Sequence, residues 1–203
     1  MIHEELYWND SAWRGEYGMI CGVDEAGRGP LFGPVVVAGV ILPEDARFDY
    51  LTDSKKVTER RREQLYQQII EQAVAYHVAF IDNETIDEIN ILNATLKGMS
   101  ECILAMKQHG AKKAFVDGNR VPSEYMDDAV PVIKGDGKSA SIAAASILAK
   151  VSRDRWVCEI AKEYPQYGLE QHKGYPTKAH YEAIAQYGLT PYHRRSFIHE
   201  VTK

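Results

Sequence analysis

Only three cysteines occur in the chain, Cys21, Cys102 and Cys158, and they lie far apart in no metal-ligand spacing. Their scarcity excludes a disulfide framework and a cysteine-based zinc site, and leaves reduced, buried thiols as the expectation. None of the seven histidines forms HExxH or pairs with a cysteine, so surface or phosphate-contacting histidines are expected instead. Long hydrophobic runs are missing too. The longest, Val35 to Leu42, suits a buried strand and is far too short for a membrane span. The start, MIHEELYWNDSAW, lacks the basic, apolar and small-residue segments of a secretory signal, so a cytoplasmic protein is expected. No Pro, Gly, Ser or single-charge tract and no internal repeat is present. With 45% hydrophobic and 26% charged residues, the composition is that of an ordinary globular chain. One domain over 1–203 is expected, with a sheet core over about 20–165 and a helical and loop appendage over about 166–203.

Positive charge is also in short supply overall, the formal net charge being −5. Its distribution matters more than its sum. Residues 134 to 203 hold 11 Lys and Arg against 7 Asp and Glu, a local balance of +4, so this part could carry a basic face toward nucleic acid or merely scattered solvated charge.

The apolar segment Met19 to Val23 reads as a strand running into the charged loop Asp24-Glu25-Ala26-Gly27-Arg28-Gly29-Pro30, and Val35 to Leu42 as its hairpin partner. Thr58 reads as the capped start of a helix with an apolar stripe at Leu65, Ile69 and Ala73. Strands are expected at Tyr76 to Ile81, Ala114 to Val116 and Val130 to Ile133. Helices are expected over Thr85 to Gln108, broken near Asn90 to Asn93, over Ser139 to Tyr164, and over about Lys178 to Gln186. That order predicts an α/β fold, a mixed sheet flanked by helices with a C-terminal helical extension.

Acidic residues fall at three predicted strand or loop ends: Asp24 with Glu25, Asp117, and Asp136 in KGDGK. Converging acids need a cation, and hard oxygen donors select Mg²⁺ or Mn²⁺ over zinc. Asp117-Gly118 and Gly135-Asp136-Gly137 are equally readable as turns. Because successive strand residues face opposite ways, Asp24 and Glu25 can share one site only if the strand has ended or bulged between them. Asp24 is therefore expected to be central, with Glu25 reaching in from the loop. Gly27-Arg28-Gly29 is either a plain turn or a loop whose backbone approaches a sugar or phosphate. Ser139 is a plausible helix cap, and Lys138, Ser139 and Ser146, at and beyond that helix N-terminus, are open to phosphate binding or to packing. HKGYPT (172–177) and HRRSF (193–197) interleave basic groups with aromatics, as suits nucleic-acid backbones and stacking.

Together, VDEAGRGPLFGPVVVAGVIL (23–42), LTDSKKVTERRREQL (51–65), FVDGN (115–119), IKGDGKSASIAAASILAKVSRD (133–154), HKGYPTKAH (172–180) and HRRSF resemble bacterial ribonuclease HII, the type 2 ribonuclease H, in the order that family shows. The resemblance implies a ribonuclease H-like fold and a metal-dependent endoribonuclease. Its site would be Asp24, Glu25, Asp117 and Asp136, holding two Mg²⁺ or Mn²⁺ ions. Asp154 in SRD rivals Asp136, but lies about four helical turns further on, by the helical rise of roughly 1.5 Å per residue. The implied substrates are RNA–DNA hybrids and duplex DNA with embedded ribonucleotides, cut 5′ of the ribonucleotide to leave 5′-phosphate and 3′-hydroxyl ends. Gly27, Arg28 and Gly29 would read the 2′-hydroxyl, Tyr175 would pack on the sugar, and Lys55, Lys138, Ser139 and Ser146 would hold phosphates. A monomer with no membrane partner is expected. Only 23 residues precede Asp24, which favours type 2 over the type 3 relatives with their N-terminal substrate-binding domain. Two positions depart from the family pattern: Pro176 where glycine is common, which biases the backbone of Tyr175, and Gly137 where alanine is frequent. A non-catalytic nucleic-acid-binding protein and a resolvase-like nuclease are the competing readings.

Overall fold

A computed structural model describes residues 1–198. Five strands, β1 Ile20–Ala26, β2 Val35–Ile41, β3 Ala75–Ile81, β4 Lys113–Asp117 and β5 Ala129–Val132, form one mixed sheet. Its spatial order is β3-β2-β1-β4-β5. β1 and β2 pair antiparallel as the expected hairpin, β2 and β3 do likewise, and β4 and β5 join parallel to β1 and to each other. β2 is buried at every position because helices cover both faces of the sheet, which is why its sequence is an unbroken apolar run.

On one face lies α4 (Ala140–Ala161), packed with Ala38 and Val40. Residues Ala140 to Ala149 are buried without a break, and the small side chains let helix and sheet approach closely. At Gly22 a Cβ would come 2.1 Å from the Ser141 carbonyl carbon, so only glycine permits that contact. On the other face lies α3 (Asn83–Gln108), whose Met99, Cys102, Ile103 and Met106 cover Cys21, Val23, Val37 and Val116. As expected, α3 is broken: Asn90 has φ 67° and ψ 164°, and its side chain accepts from Asn93 N–H at 3.1 Å to restart the helix. α2 (Glu59–Gln72) packs beside α4; Thr58 holds its N-cap position, but its hydroxyl makes no capping bond.

The N-terminal segment forms a helix that the sequence reading did not anticipate, α1 (Glu4–Tyr17). Its buried Asp10 accepts from the Ser139 hydroxyl at 2.5 Å and from Ser141 N–H and hydroxyl at 2.8 and 2.6 Å, while Trp13 stacks on Phe115 at 3.7 Å. After α4 the chain forms α5 (Leu169–His172) and α6 (Lys178–Tyr187), packed with the end of α4 around Phe32, Val157, Tyr167 and Ile184. Cys21 and Cys102 are buried free thiols, as expected, whereas Cys158 is half-buried.

Candidate active site

β1 continues through Asp24 and Glu25 to Ala26, three residues beyond the predicted end. Asp24 pairs with Ala38 and Glu25 with Val37, so Glu25 is a strand residue and not a loop residue. Alternation turns Asp24 toward α4 and Glu25 toward α3. Both nevertheless line the same cleft, because pairing of β4 with β1 stops at Val23 and Val116. Beyond that register β1 has no neighbour on its β4 side, and Glu25 reaches round the open edge. Asp117 ends β4 next to Asp24, and Asp136 sits in a short 3-10 turn (Gly135–Gly137) tied to β4 by the bond from Gly135 N–H to Asp117 Oδ1 at 2.6 Å.

The cleft, about 240 Å³, thus brings together Asp24, Glu25, Asp117 and Asp136. It also takes in Gly27, Arg28, Gly29, Lys55, Ser146 and Tyr175 from the sequence-derived set. Lys138 and Ser139 do not join them. Lys138 is exposed outside the cleft, and Ser139 is fully buried, its hydroxyl accepting from Ile142 N–H and donating to Asp10. Of the two roles expected for Ser139, the structure has the helix cap, and its burial removes it from phosphate contact. Asp154 also lies outside the cleft, paired with Lys150 at 2.7 Å. Lys150 and Ser54 do line it and escaped the sequence reading. Lys150 is one helical turn beyond Ser146, a period-four signal that could have revealed it, and Ser54, beside Lys55 in the LTDSKK segment, meets Ser146 Oγ at 2.9 Å.

Acid repulsion is visible in the electrostatics. Burial, then Glu25 and Asp117, raise the Asp24 carboxyl well above its ordinary range. Glu25 is raised mainly by burial, against the pull of Arg28 at 3.5 Å. Burial and the neighbouring Asp117 and Asp53 push Asp136 up to about 6. Glu25 Oε2 is buried without a hydrogen-bond partner, an orphaned acceptor of the sort a cation satisfies. Among the described residues no three His, Cys, Asp or Glu side chains are drawn into a ready-made metal cluster. The carboxylates instead take local partners, Asp24 Oδ1 from Glu25 N–H at 2.7 Å and Asp117 Oδ1 from Gly135 N–H. An all-oxygen, mutually repelling set with an orphaned acceptor fits a hard divalent cation.

Residues 21–200 match the family model described as Ribonuclease HII. The chain belongs to the ribonuclease HII family. It is 52% identical over 180 residues to the ribonuclease HII of Francisella tularensis subsp. mediasiatica, covering 88% of this chain and 95% of that one. To the ribonuclease HII of Caldanaerobacter subterraneus subsp. tengcongensis it is 46% identical over 202 residues, covering 100% and 83%. Its fold is similar to the ribonuclease HII of Archaeoglobus fulgidus solved in complex with PCNA, with a TM-score of 0.74 and 29% identity, covering 90% of this chain and 96% of that one. Ribonuclease HII is a family of metal-dependent nucleases acting on RNA–DNA hybrids, and the expected mixed sheet flanked by helices is the fold observed.

The basic-aromatic motifs of the appendage are divided: Tyr175 and Arg195 are exposed, whereas other members serve inside the protein. Arg194 of HRRSF is fully buried, as are His180 and His193, which correct the expectation of surface or phosphate-contacting groups. His180 Nδ1 meets the Tyr175 carbonyl at 3.0 Å, and its Nε2 meets His193 Nε2 at 3.2 Å. Arg153 of SRD is likewise buried and donates to the carbonyls of Phe32, Pro34 and Lys173. Among the described residues no helix is long and apolar enough to cross a membrane.

Proposed function

We propose that this chain hydrolyses the RNA strand of RNA–DNA hybrids and also cuts duplex DNA 5′ of single embedded ribonucleotides, leaving 5′-phosphate and 3′-hydroxyl ends. The observation that carries this reading is the sharing of one cleft by the four acids, the Gly27–Gly29 loop and Tyr175. Catalytic and sugar-reading groups therefore face the same small volume; a Cβ on Gly29 would be only 3.8 Å from Tyr175 Cε1.

In this mechanism Asp24, Glu25, Asp117 and Asp136 would hold the divalent cations. Two Mg²⁺ or Mn²⁺ ions supply, when bound, an activated water and charge neutralisation at the phosphate. Water oxygen bonds to phosphorus as the bond to the 3′-oxygen breaks, and the 3′-oxygen leaves with a proton. The exposed backbone of Gly27 to Gly29 meets the 2′-hydroxyl that distinguishes RNA from DNA, and the Tyr175 ring packs against the sugar. Lys55, Lys150 and Ser146 face the backbone phosphates from the cleft wall.

The test is cleavage of a duplex holding one ribonucleotide, with products mapped to the nucleotide. Asp136→Asn is expected to abolish cleavage, on the order of a thousandfold or more, while Asp154→Asn retains most of it. Equal cutting of an all-DNA duplex would refute the substrate, and tight binding without cleavage in Mn²⁺ would favour a binding protein.

A further inference from the structure

The loop that follows Asp24 and Glu25 is held by an arginine from the far end of the chain. Arg194 Nε donates to the Gly33 carbonyl at 2.8 Å, Nη1 to those of Arg28 and Pro30 at 3.0 and 2.9 Å, and Nη2 to that of Gly27 at 2.7 Å. The strand of chain carrying it is pinned by its own backbone: Arg194 N–H donates to the Leu31 carbonyl at 2.8 Å, and Gly33 N–H donates to that of Tyr192 at 2.9 Å. The guanidinium is buried and has no carboxylate partner within ion-pair distance among the described residues. Four main-chain carbonyls compensate its charge instead, a costly arrangement for a merely space-filling side chain.

The geometry has a consequence for the cleft. In a trans peptide the C=O of one residue and the N–H of the next point in opposite directions. No cis peptide occurs among the described residues. Drawing the carbonyls of Gly27 and Arg28 inward to Arg194 therefore turns the N–H groups of Arg28 and Gly29 away from it. Both residues line the cleft, and neither N–H has a protein acceptor among the described residues. Gly27 is fixed in this pose at φ +92°, and a Cβ there would fall 2.1 Å from Arg153 Nε, so the two buried arginines leave the loop a single course.

We propose that Arg194 is a positioning residue for substrate discrimination: its forked bonds to Gly27 and Arg28 aim the loop's free N–H groups at the ribose. The inference rests on the embedded-ribonucleotide activity proposed above. Lysine keeps the charge but offers one compact ammonium that cannot span four carbonyls in a fixed fork. In Arg194→Lys the loop carbonyls would rotate and the aimed N–H groups with them, while the four acids, held by β1, β4 and the Gly135–Gly137 turn, would stay.

The experiment compares wild type, Arg194→Lys and Arg194→Ala on three duplexes of one sequence: a single ribonucleotide, a 2′-deoxy control, and a long RNA–DNA hybrid. Cleavage is measured in Mn²⁺, binding in Ca²⁺, and folding by thermal melting. Expected for both folded variants is a loss of about tenfold or more in kcat/KM on the single ribonucleotide, with binding of the all-DNA control unchanged within about twofold. In Arg194→Ala, added methylguanidinium should restore part of the loss. Wild-type failure on the single ribonucleotide would sink the functional reading itself. Wild-type cleavage with folded variants that match it would overturn the role of Arg194 alone. Equal loss of affinity for ribonucleotide and all-DNA duplexes, or unfolding of both variants, would also overturn it, by making the side chain a general structural support.

Discussion

Asp136 sits half-exposed in its turn with a carboxyl pushed up to about 6 by burial and by Asp117 and Asp53. A carboxyl raised in the folded state contributes stability that is complete below its unfolded value near 4 and is lost as pH rises through 6. Without metal, then, ionised Asp136 weakens the fold at neutral pH. Asp136→Asn should melt higher than wild type at pH 7.5 in EDTA, by about 1–2 kcal/mol after allowance for solvent screening, and the difference should vanish near pH 4. In Mn²⁺ the order should reverse if the four acids hold the cation as proposed, since the wild type would then gain more from it than a variant with three. Melting curves of both proteins at several pH values check this, and an Asn variant less stable than wild type in EDTA would contradict it. Asp24 and Glu25 behave alike in direction, and the pair drew notice in the sequence because two acids entering a glycine-rich loop from an apolar run offer no evident structural benefit. Arg153 and Arg194 were illegible for the opposite reason. Arg194, beside histidine and phenylalanine, looks like a phosphate contact, and nothing local says that the partners of either arginine will be carbonyls of the loop after β1, more than a hundred positions away.

At the level of elements, periodic and β-branched segments were readable because their burial is set by immediate neighbours. β2, the kinked α3 and the long α4 lie where apolar pattern and the Asn90 signal put them. α1 was missed because its helix has little amphipathic pattern; it is anchored through Asp10, Trp13 and a few apolar contacts to elements over a hundred residues on. Ser139 was readable as the cap of α4, but its burial was not, since its partner is Asp10. Asp10 closes the N-terminus of α4 by satisfying two hydroxyls and one N–H that are buried. Asp10→Ala would leave those donors unpaired and should cost about 2–4 kcal/mol in denaturant unfolding. Because α4 carries Ser146 and Lys150 into the cleft, the same variant should weaken duplex binding more than it alters the response to metal. A loss below about 0.5 kcal/mol would show that α1 is a passenger.

Taken as a whole, the molecule joins a sheet that carries acids to an appendage that carries Tyr175 and Arg194, and a buried histidine pair holds the appendage together beneath Tyr175. His180 and His193 are both held down to about 4, chiefly by burial. Their bonds are all satisfied by neutral rings. With His180 Nδ1–H on the Tyr175 carbonyl, its Nε2 accepts from His193 Nε2–H, which leaves His193 Nδ1 to accept from Thr190 N–H at 2.9 Å. A second proton on His180 sets its Nε2–H against His193 Nε2–H, and one on His193 ends the bond its Nδ1 accepts from Thr190 N–H, leaving the Thr190 hydroxyl at 2.9 Å to receive it. For bases lowered in the fold, stability is complete above their unfolded value near 6.5 and is lost as pH falls toward 4. That sign opposes the carboxylates over the same window, so a global melting curve blends the two, and a local readout separates them. Amide exchange in α6, corrected for intrinsic rates, should accelerate between pH 6.5 and 4.5 relative to β1 and β2, with Tyr175 losing its carbonyl anchor and cleavage of a single ribonucleotide falling more than cleavage of a long hybrid. His193→Gln, which cannot take up a proton, should flatten the acceleration. Uniform exchange across sheet and appendage would show instead that acid acts on the protein as one cooperative unit, with the histidine pair no more than a neutral filler between Phe32 and Tyr167.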